Sequence, residues 1–235
     1  ATFRLAEYID SLEKTELEII AAKMGNLLQK DALLIDEMSV QNNPLSDSII
    51  LLDISKRLIL EAVDGGNTAQ RVVGILLQLH QEASNSELEV NGVDDSASTT
   101  NFTSKKVGDL STSLETGKII SIYEVTLKKF NEQRISECSQ SLIGNLGRES
   151  ANSLEVIVLC RREDVPDSAK KLLQNHLFIG RFSDKFGIKY NFVDIFEWLS
   201  IRIIELDDEL RARYFQRLEN YINRVKTSVK VKRKW

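Results

Sequence analysis

Two carboxylates stand where apolar residues would be expected. Asp109 opens one alternating segment in VGDLSTSL, and Glu124 sits inside the run IISIYEVTL. A strand alternates faces, so Ile120, Ile122, Glu124, Thr126 and Lys128 are expected on one side, with Ser121, Tyr123, Val125 and Leu127 on the other. A hairpin between the two segments brings Asp109 toward Glu124. Two like charges in a low-dielectric place repel, at a cost of several kcal/mol to order of magnitude. A hard divalent cation would remove that cost, and Mg²⁺ takes one or two carboxylates together with waters and phosphate oxygens. A lysine on the same face would orient or deprotonate an attacking water, or stabilise charge developing on a phosphate.

The elements that must position these residues can be read around them. Val107–Ser113 and Ile119–Leu127 are strand-like and are separated by Glu115-Thr116-Gly117, a hairpin signal. From Asn131 to about Leu146, Ile135, Cys138, Leu142 and Leu146 recur at helical spacing. LEVIVLC, Leu154–Cys160, is a continuous apolar run of strand length, and Tyr190–Ile195 is another strand. Asp167–Leu177 is expected to be helical, and long helical segments run from the last strand to about Val225. Strands alternating with helices imply parallel strands joined by crossovers.

Upstream, residues 1–90 read as helical. Leu5, Ile9, Leu12, Leu17 and Ile20 recur near helical spacing, SIILLDISKRLILEAVDGG stops at Gly65-Gly66, and Val72, Leu76 and Leu79 share one face. A polar loop, SNSELEVNGVDDSASTTNFTS, follows, with a short strand expected at Leu88–Val90. The fold class is therefore α/β: a central mixed sheet, hairpin plus parallel strands, flanked by helices, with a helical N-terminal region. The expected division is a helical region at 1–90, for dimerisation or as a DNA clamp, and a catalytic core at 91–235 ending in a helix and a basic tail.

Composition sets limits. The 235 residues carry 31 Lys+Arg and 35 Asp+Glu, a net charge of −4, which argues against coating nucleic acid nonspecifically but leaves room for a local basic surface. No apolar run approaches the roughly 18–20 residues a bilayer requires. The first residues, ATFRLAEYIDSLEK, read as a charged amphipathic helix rather than a signal peptide, and the absence of a first Met is expected of a trimmed terminus. Cys138 and Cys160 lie in apolar contexts and fit core positions in a reduced cytoplasmic protein. Two isolated histidines, His80 and His176, disfavour zinc and His-dependent acid–base chemistry. P-loop, G-x-G-x-x-G, G-x-S-x-G and H-E-x-x-H patterns are all missing, which disfavours nucleotide-driven motors, dinucleotide enzymes, hydrolases of the elbow type and zincins.

Gly108-Asp109 followed by Glu124-Val125-Thr126-Leu127-Lys128, with a strand running into the helix of EVTLKKFNEQRISE, resembles the PD-(D/E)xK nuclease superfamily, and TTNFTSKKVGDL is similar to the approach to the first metal aspartate in type II restriction endonucleases. The likeness covers mainly residues 100–196. It implies a Mg²⁺-dependent, sequence-specific endonuclease of double-stranded DNA that leaves 5′-phosphate and 3′-hydroxyl ends, with Asp109 and Glu124 on the metal and the Val125 carbonyl beside it. The usual lysine position, two after the glutamate, holds Thr126. Three readings follow: Lys128 reaches back to the site, which is preferred; Thr126 stands in by holding a water; or the domain is inactive and only binds DNA, as a subunit of a defence system.

An accessory carboxylate from the N-terminal helices is implied as well, with Glu61 the first candidate beside a solvated-helix reading of equal weight. Lys105 and Lys106 are candidates for DNA phosphate or for a solvated turn. Gln133 and Arg134 are candidates for the scissile phosphate or backbone, with a surface ion pair the alternative for Arg134. Arg161 and Arg162, at a strand's C-terminal end, are candidates for DNA contact or for a solvated loop. The basic tail RVKTSVKVKRKW reads as a frayed terminus or a phosphate-contacting arm. Palindromic duplex sites would favour a homodimer. A helical protein-interaction module is the remaining alternative.

Overall fold

The computed structural model describes residues 12–37, 45–61, 66–95 and 107–224, with the side chains of 30–37 and 224 left out of account. Lys105, Lys106 and the basic tail beyond Arg224 therefore lie outside the described residues. In chain order the elements are α1 (Lys14–Glu37), α2 (Ser48–Glu61), α3 (Asn67–Ala83), β1 (Leu88–Asn91), β2 (Leu110–Leu114), β3 (Ile119–Val125), α4 (Glu132–Leu146), α5 (Arg148–Ser153), β4 (Glu155–Cys160), a 3-10 turn (Arg162–Asp164), β5 (Lys170–Lys171), β6 (Phe178–Ser183), β7 (Lys189–Asp194), α6 (Ile195–Ile204) and α7 (Asp208–Arg224). Among the described residues the strands form one seven-stranded sheet in the order β1-β2-β3-β4-β7-β6-β5. The middle strands β3, β4 and β7 are parallel, and antiparallel pairs complete both sides. This is the α/β architecture with a mixed central sheet expected from the sequence.

Period-two alternation decides which side of the sheet each residue joins. From β3, Tyr123 and Val125 enter a core shared with α2, α3, α6 and α7, whereas Ile122 enters a second core with Ile135, Cys138 and Leu142 of α4. β4 divides likewise, with Leu159 on the first side and Val156, Val158 and Cys160 on the second. α3 is enclosed nearly all round: Val72, Val73, Leu76 and Leu79 are completely buried, and each such side chain contributes roughly 1.5–3 kcal/mol on leaving water. Its Gly74 lets Val93 approach, since an added Cβ would stand 2.9 Å from both Val93 methyls. Because α2 and α3 bury their apolar residues together with β2, β3, α6 and α7, the expected boundary near residue 90 runs through β1 and across a shared core.

Buried hydroxyls are matched across elements, as burial in a low-dielectric interior requires. Ser55 meets Tyr214 at 2.7 Å, Thr68 meets Tyr221 at 3.2 Å, and Ser139 meets Tyr190 at 2.6 Å. The hairpin turn at 115–117 forms as expected, with Gly117 at φ 79° and its N–H bonded to the Leu114 carbonyl at 2.8 Å.

One expected helix is replaced by strand. Residues 167–177 form β5 and turns that lead into β6. The Leu172 N–H bonds the Ile179 carbonyl at 2.7 Å, and the Asn175 side chain accepts from the Phe178 N–H at 2.8 Å. Leu173, which a packed helix would bury, is 85 % exposed. The link from β4 to β7 is therefore a strand hairpin rather than a helix. No helix among the described residues is long and apolar enough to cross a membrane.

Candidate active site

Glu124 lies at the C-terminal end of β3, where parallel strands of α/β sheets commonly present their ligands. It is 3 % exposed and faces α4. Asp109 precedes β2, and its carboxylate accepts the Val125 N–H at 2.8 Å, which ties it beside Glu124. Both carboxylates approach one guanidinium nitrogen: Arg134 Nη2 is 3.8 Å from Asp109 and 3.6 Å from Glu124.

Burial, with Asp109 beside it, pushes the Glu124 carboxyl up from 4.5 to about 8, against the opposing influence of Arg134 and a hydrogen bond from the Cys138 thiol. Glu124 is therefore mainly protonated at neutral pH while no stronger cation is bound. Burial and the same carboxylates push the Cys138 thiol well above its ordinary value, and the Cys160 thiol is pushed up to about 12, so both behave as core residues rather than nucleophiles.

Arg134 is held at its base by α4. The Asn131 side chain caps that helix by accepting the Arg134 N–H at 3.0 Å. Its guanidinium donates to Thr126 Oγ1 at 2.7 Å and lies 5.1 Å from the Phe130 ring centre. Thr126 also accepts the Lys128 N–H at 3.1 Å, a local turn that ends the strand. β3 stops at Val125, so the alternation that would carry Lys128 onto the Glu124 face does not extend to it, and Lys128 is exposed. Among the described residues, the cation brought to both carboxylates is Arg134.

The other sequence candidates separate clearly. Arg161 is a brace: its Nε donates to Asp164 at 2.7 Å, and Nη2 donates to the Leu127 carbonyl at 3.0 Å and to Asp164 at 3.2 Å. Arg162 donates to the Asn175 and His176 carbonyls at 2.7 and 3.2 Å, which secures the loop before β6. Gln133 is exposed and bonds Glu137 one turn along α4 at 2.9 Å. Glu61 ends α2 and is half-buried, and α2 packs on α3, α6 and α7.

Sequence reasoning missed Gln70. This α3 residue is 1 % exposed, and its Nε2 donates to the Gly92 carbonyl at 2.6 Å and to the Asp109 carbonyl at 3.1 Å. It pins the segment that carries Asp109. The available signal was an amide on the buried face of an apolar helix. Two glycines complete the mounting. Gly92, at φ 90°, leaves room for the Asp109 carbonyl, and Gly108, at φ 142°, would place a Cβ 2.7 Å from Ile122. A separate open polar groove is lined by Gln78, Glu82, Asn85, Arg213 and Arg217, with Glu82 paired to both arginines.

Carboxylates offer the hard oxygens that Mg²⁺ takes, with waters completing its shell. Among the described residues, no group of three or more His, Cys, Asp or Glu is arranged to hold a metal ion. Asp109 and Glu124 are the residues that would hold it. No protein-family model matches this sequence, and no curated protein matches it.

Proposed function

We propose that this chain is a Mg²⁺-dependent endonuclease that cuts double-stranded DNA at specific sequences, leaves 5′-phosphate ends and acts as a homodimer. The observation that carries this reading is the convergence of Asp109 and Glu124 on one cationic group at the end of a parallel strand. The proposed site of action is the cytoplasm, which the two free, buried cysteines support.

Bound Mg²⁺ would supply positive charge against the phosphate oxygens and acidify an attacking water. Asp109 and Glu124 would fix its position, and Glu124 would lose its proton on doing so. Arg134, partly exposed beside them, would meet a phosphate oxygen with a planar guanidinium. In the overall reaction a water oxygen bonds to phosphorus and the P–O3′ bond breaks. The water's proton leaves, and the departing 3′ oxygen is protonated to a hydroxyl.

Thr126 in the usual lysine position favours a second reading, an inactive nuclease-fold subunit that binds DNA. The exposed apolar residues of α1, among them Ile19, Met24, Leu27 and Leu28, favour a third, a helical interaction module. A mixed-sequence plasmid incubated with Mg²⁺ and wild type, Asp109→Ala or Glu124→Ala separates them. Discrete fragments made only by wild type support the endonuclease. Salt-sensitive duplex binding without cutting supports the binding subunit, and neither activity supports the interaction module.

A further inference from the structure

We propose that Arg134 is an exchangeable cation: it stands beside Asp109 and Glu124 in the metal-free protein, yields its place to a divalent cation, and then engages a phosphate of the bound strand. The proposal rests on the endonuclease reading and gives that site a built-in order of loading.

The geometry separates anchoring from charge pairing. The short bond of the Arg134 side chain, 2.7 Å, goes to the neutral Thr126 hydroxyl. Its approaches to the two carboxyl groups, 3.8 and 3.6 Å, are longer than its bond to Thr126. A guanidinium placed in this way is opposed by any dication that reaches the same oxygens. The two positive groups repel, and the dication has the stronger attraction for both carboxylates. Arg134 also has somewhere to go. Its side chain is 31 % exposed, while its backbone stays fixed by the Asn131 cap. A guanidinium released at the mouth of the site offers the paired, coplanar N–H groups that phosphate oxygens accept.

The consequence is a double signature, because one residue opposes metal binding and assists the reaction. Mn²⁺ binding, read by loss of the free-ion paramagnetic resonance signal without DNA, should tighten about tenfold in Arg134→Gln, since a competing cation has been removed. Arg134→Lys should fall between the two, and thermal melts of both variants confirm folding. Plasmid cutting at saturating Mg²⁺ should fall roughly 10²-fold in Arg134→Gln. Asp109→Ala, alone and combined with Arg134→Gln, should lose the Mn²⁺ site. Mn²⁺ affinity in Arg134→Gln that is unchanged or weaker, with wild-type cutting intact, overturns the exchange and leaves the endonuclease standing. Tighter Mn²⁺ binding in a wild type and variant that cut no DNA sinks the endonuclease and keeps the exchange. Mn²⁺ retained after Asp109→Ala overturns the proposed place of exchange.

Discussion

Two arginines reach the end of the parallel strands, and they are held in opposite ways. Arg161 is fully engaged by Asp164 and by the Leu127 carbonyl at distances from 2.7 to 3.2 Å. Arg134 bonds a neutral hydroxyl and stands off from two carboxylates at 3.6 and 3.8 Å. Both are arginine–carboxylate contacts, yet the first closes a loop against the sheet and the second leaves an unevenly matched cluster. A buried charge with complete, short partners is a structural fastening. The carboxylate pair that Arg134 approaches at 3.6 and 3.8 Å is held from that side by a longer, weaker contact. Contact alone therefore does not mark the candidate site, and the quality of the contact does.

The largest expected effect tests the cluster side of that contrast. On the proposed reading, Asp109→Ala and Glu124→Gln should each lower Mg²⁺-dependent plasmid cutting about 10³-fold or more, because each would take one negative carboxylate from the proposed metal site. Near-normal cutting by either variant would break the contrast, since the pair would then be an ordinary buried ion cluster.

Arg161→Gln tests the fastening. It leaves Asp164, 5 % exposed, without its main partner. The arginine is partly exposed, so a loss of about 2 kcal/mol is expected rather than the larger cost of a wholly buried pair. For a chain of this size that is a fall of roughly 4–8 °C in melting temperature. Cutting per folded molecule should change less than about threefold. An unchanged melt with lost cutting would move Arg161 from the brace to the reacting group.

Glu124 sharpens the comparison through pH. Its folded carboxyl ionises near pH 8, whereas 4.5 is the ordinary value. Between those values the unfolded chain has released a proton that the folded chain keeps. Wild-type stability therefore falls as pH rises through the window, by as much as about 1.4 kcal/mol per pH unit. Glu124→Gln lacks this term. Urea titrations without divalent metal should show the variant gaining on wild type from about pH 4.5 to 8, with little further change outside. Parallel stability curves would mean that Glu124 is ionised in the fold and already fully paired.

Much of this arrangement was legible because it is local. Period-two alternation put Ile122 and Glu124 on one side of β3 and Tyr123 and Val125 on the other, and packing follows that division. Glu115-Thr116-Gly117 marked a real turn, and the spacing of Ile135, Cys138 and Leu142 marked the helix that covers Glu124. What stayed hidden depends on partners distant in sequence. Gln70 acts through carbonyls 22 and 39 residues away. The Lys-Lys-Leu-Leu run before β6 fits helical spacing over too few residues to exclude a strand pair, and pairing with β6 decided it.

Lys128 shows how a local rule fails at its own boundary, and it carries the smallest expected effect. Strand alternation assigned it to the Glu124 face, but Thr126 accepts the Lys128 N–H and turns the chain after Val125. The same hydroxyl holds Arg134 at 2.7 Å. Thr126→Val keeps the side-chain shape and removes both bonds, together with the one the hydroxyl donates to the Lys128 carbonyl at 3.2 Å, so it should lower cutting by roughly tenfold through a misplaced Arg134. Lys128→Ala keeps the hydroxyl, the turn and the arginine, and removes only an exposed ammonium. Its cutting rate should stay within about twofold of wild type, with at most a weak loss of duplex affinity at low salt. The reverse ranking, Lys128→Ala inactive and Thr126→Val active, would return the reaction's cation to the strand and leave Arg134 as a second brace beside Arg161.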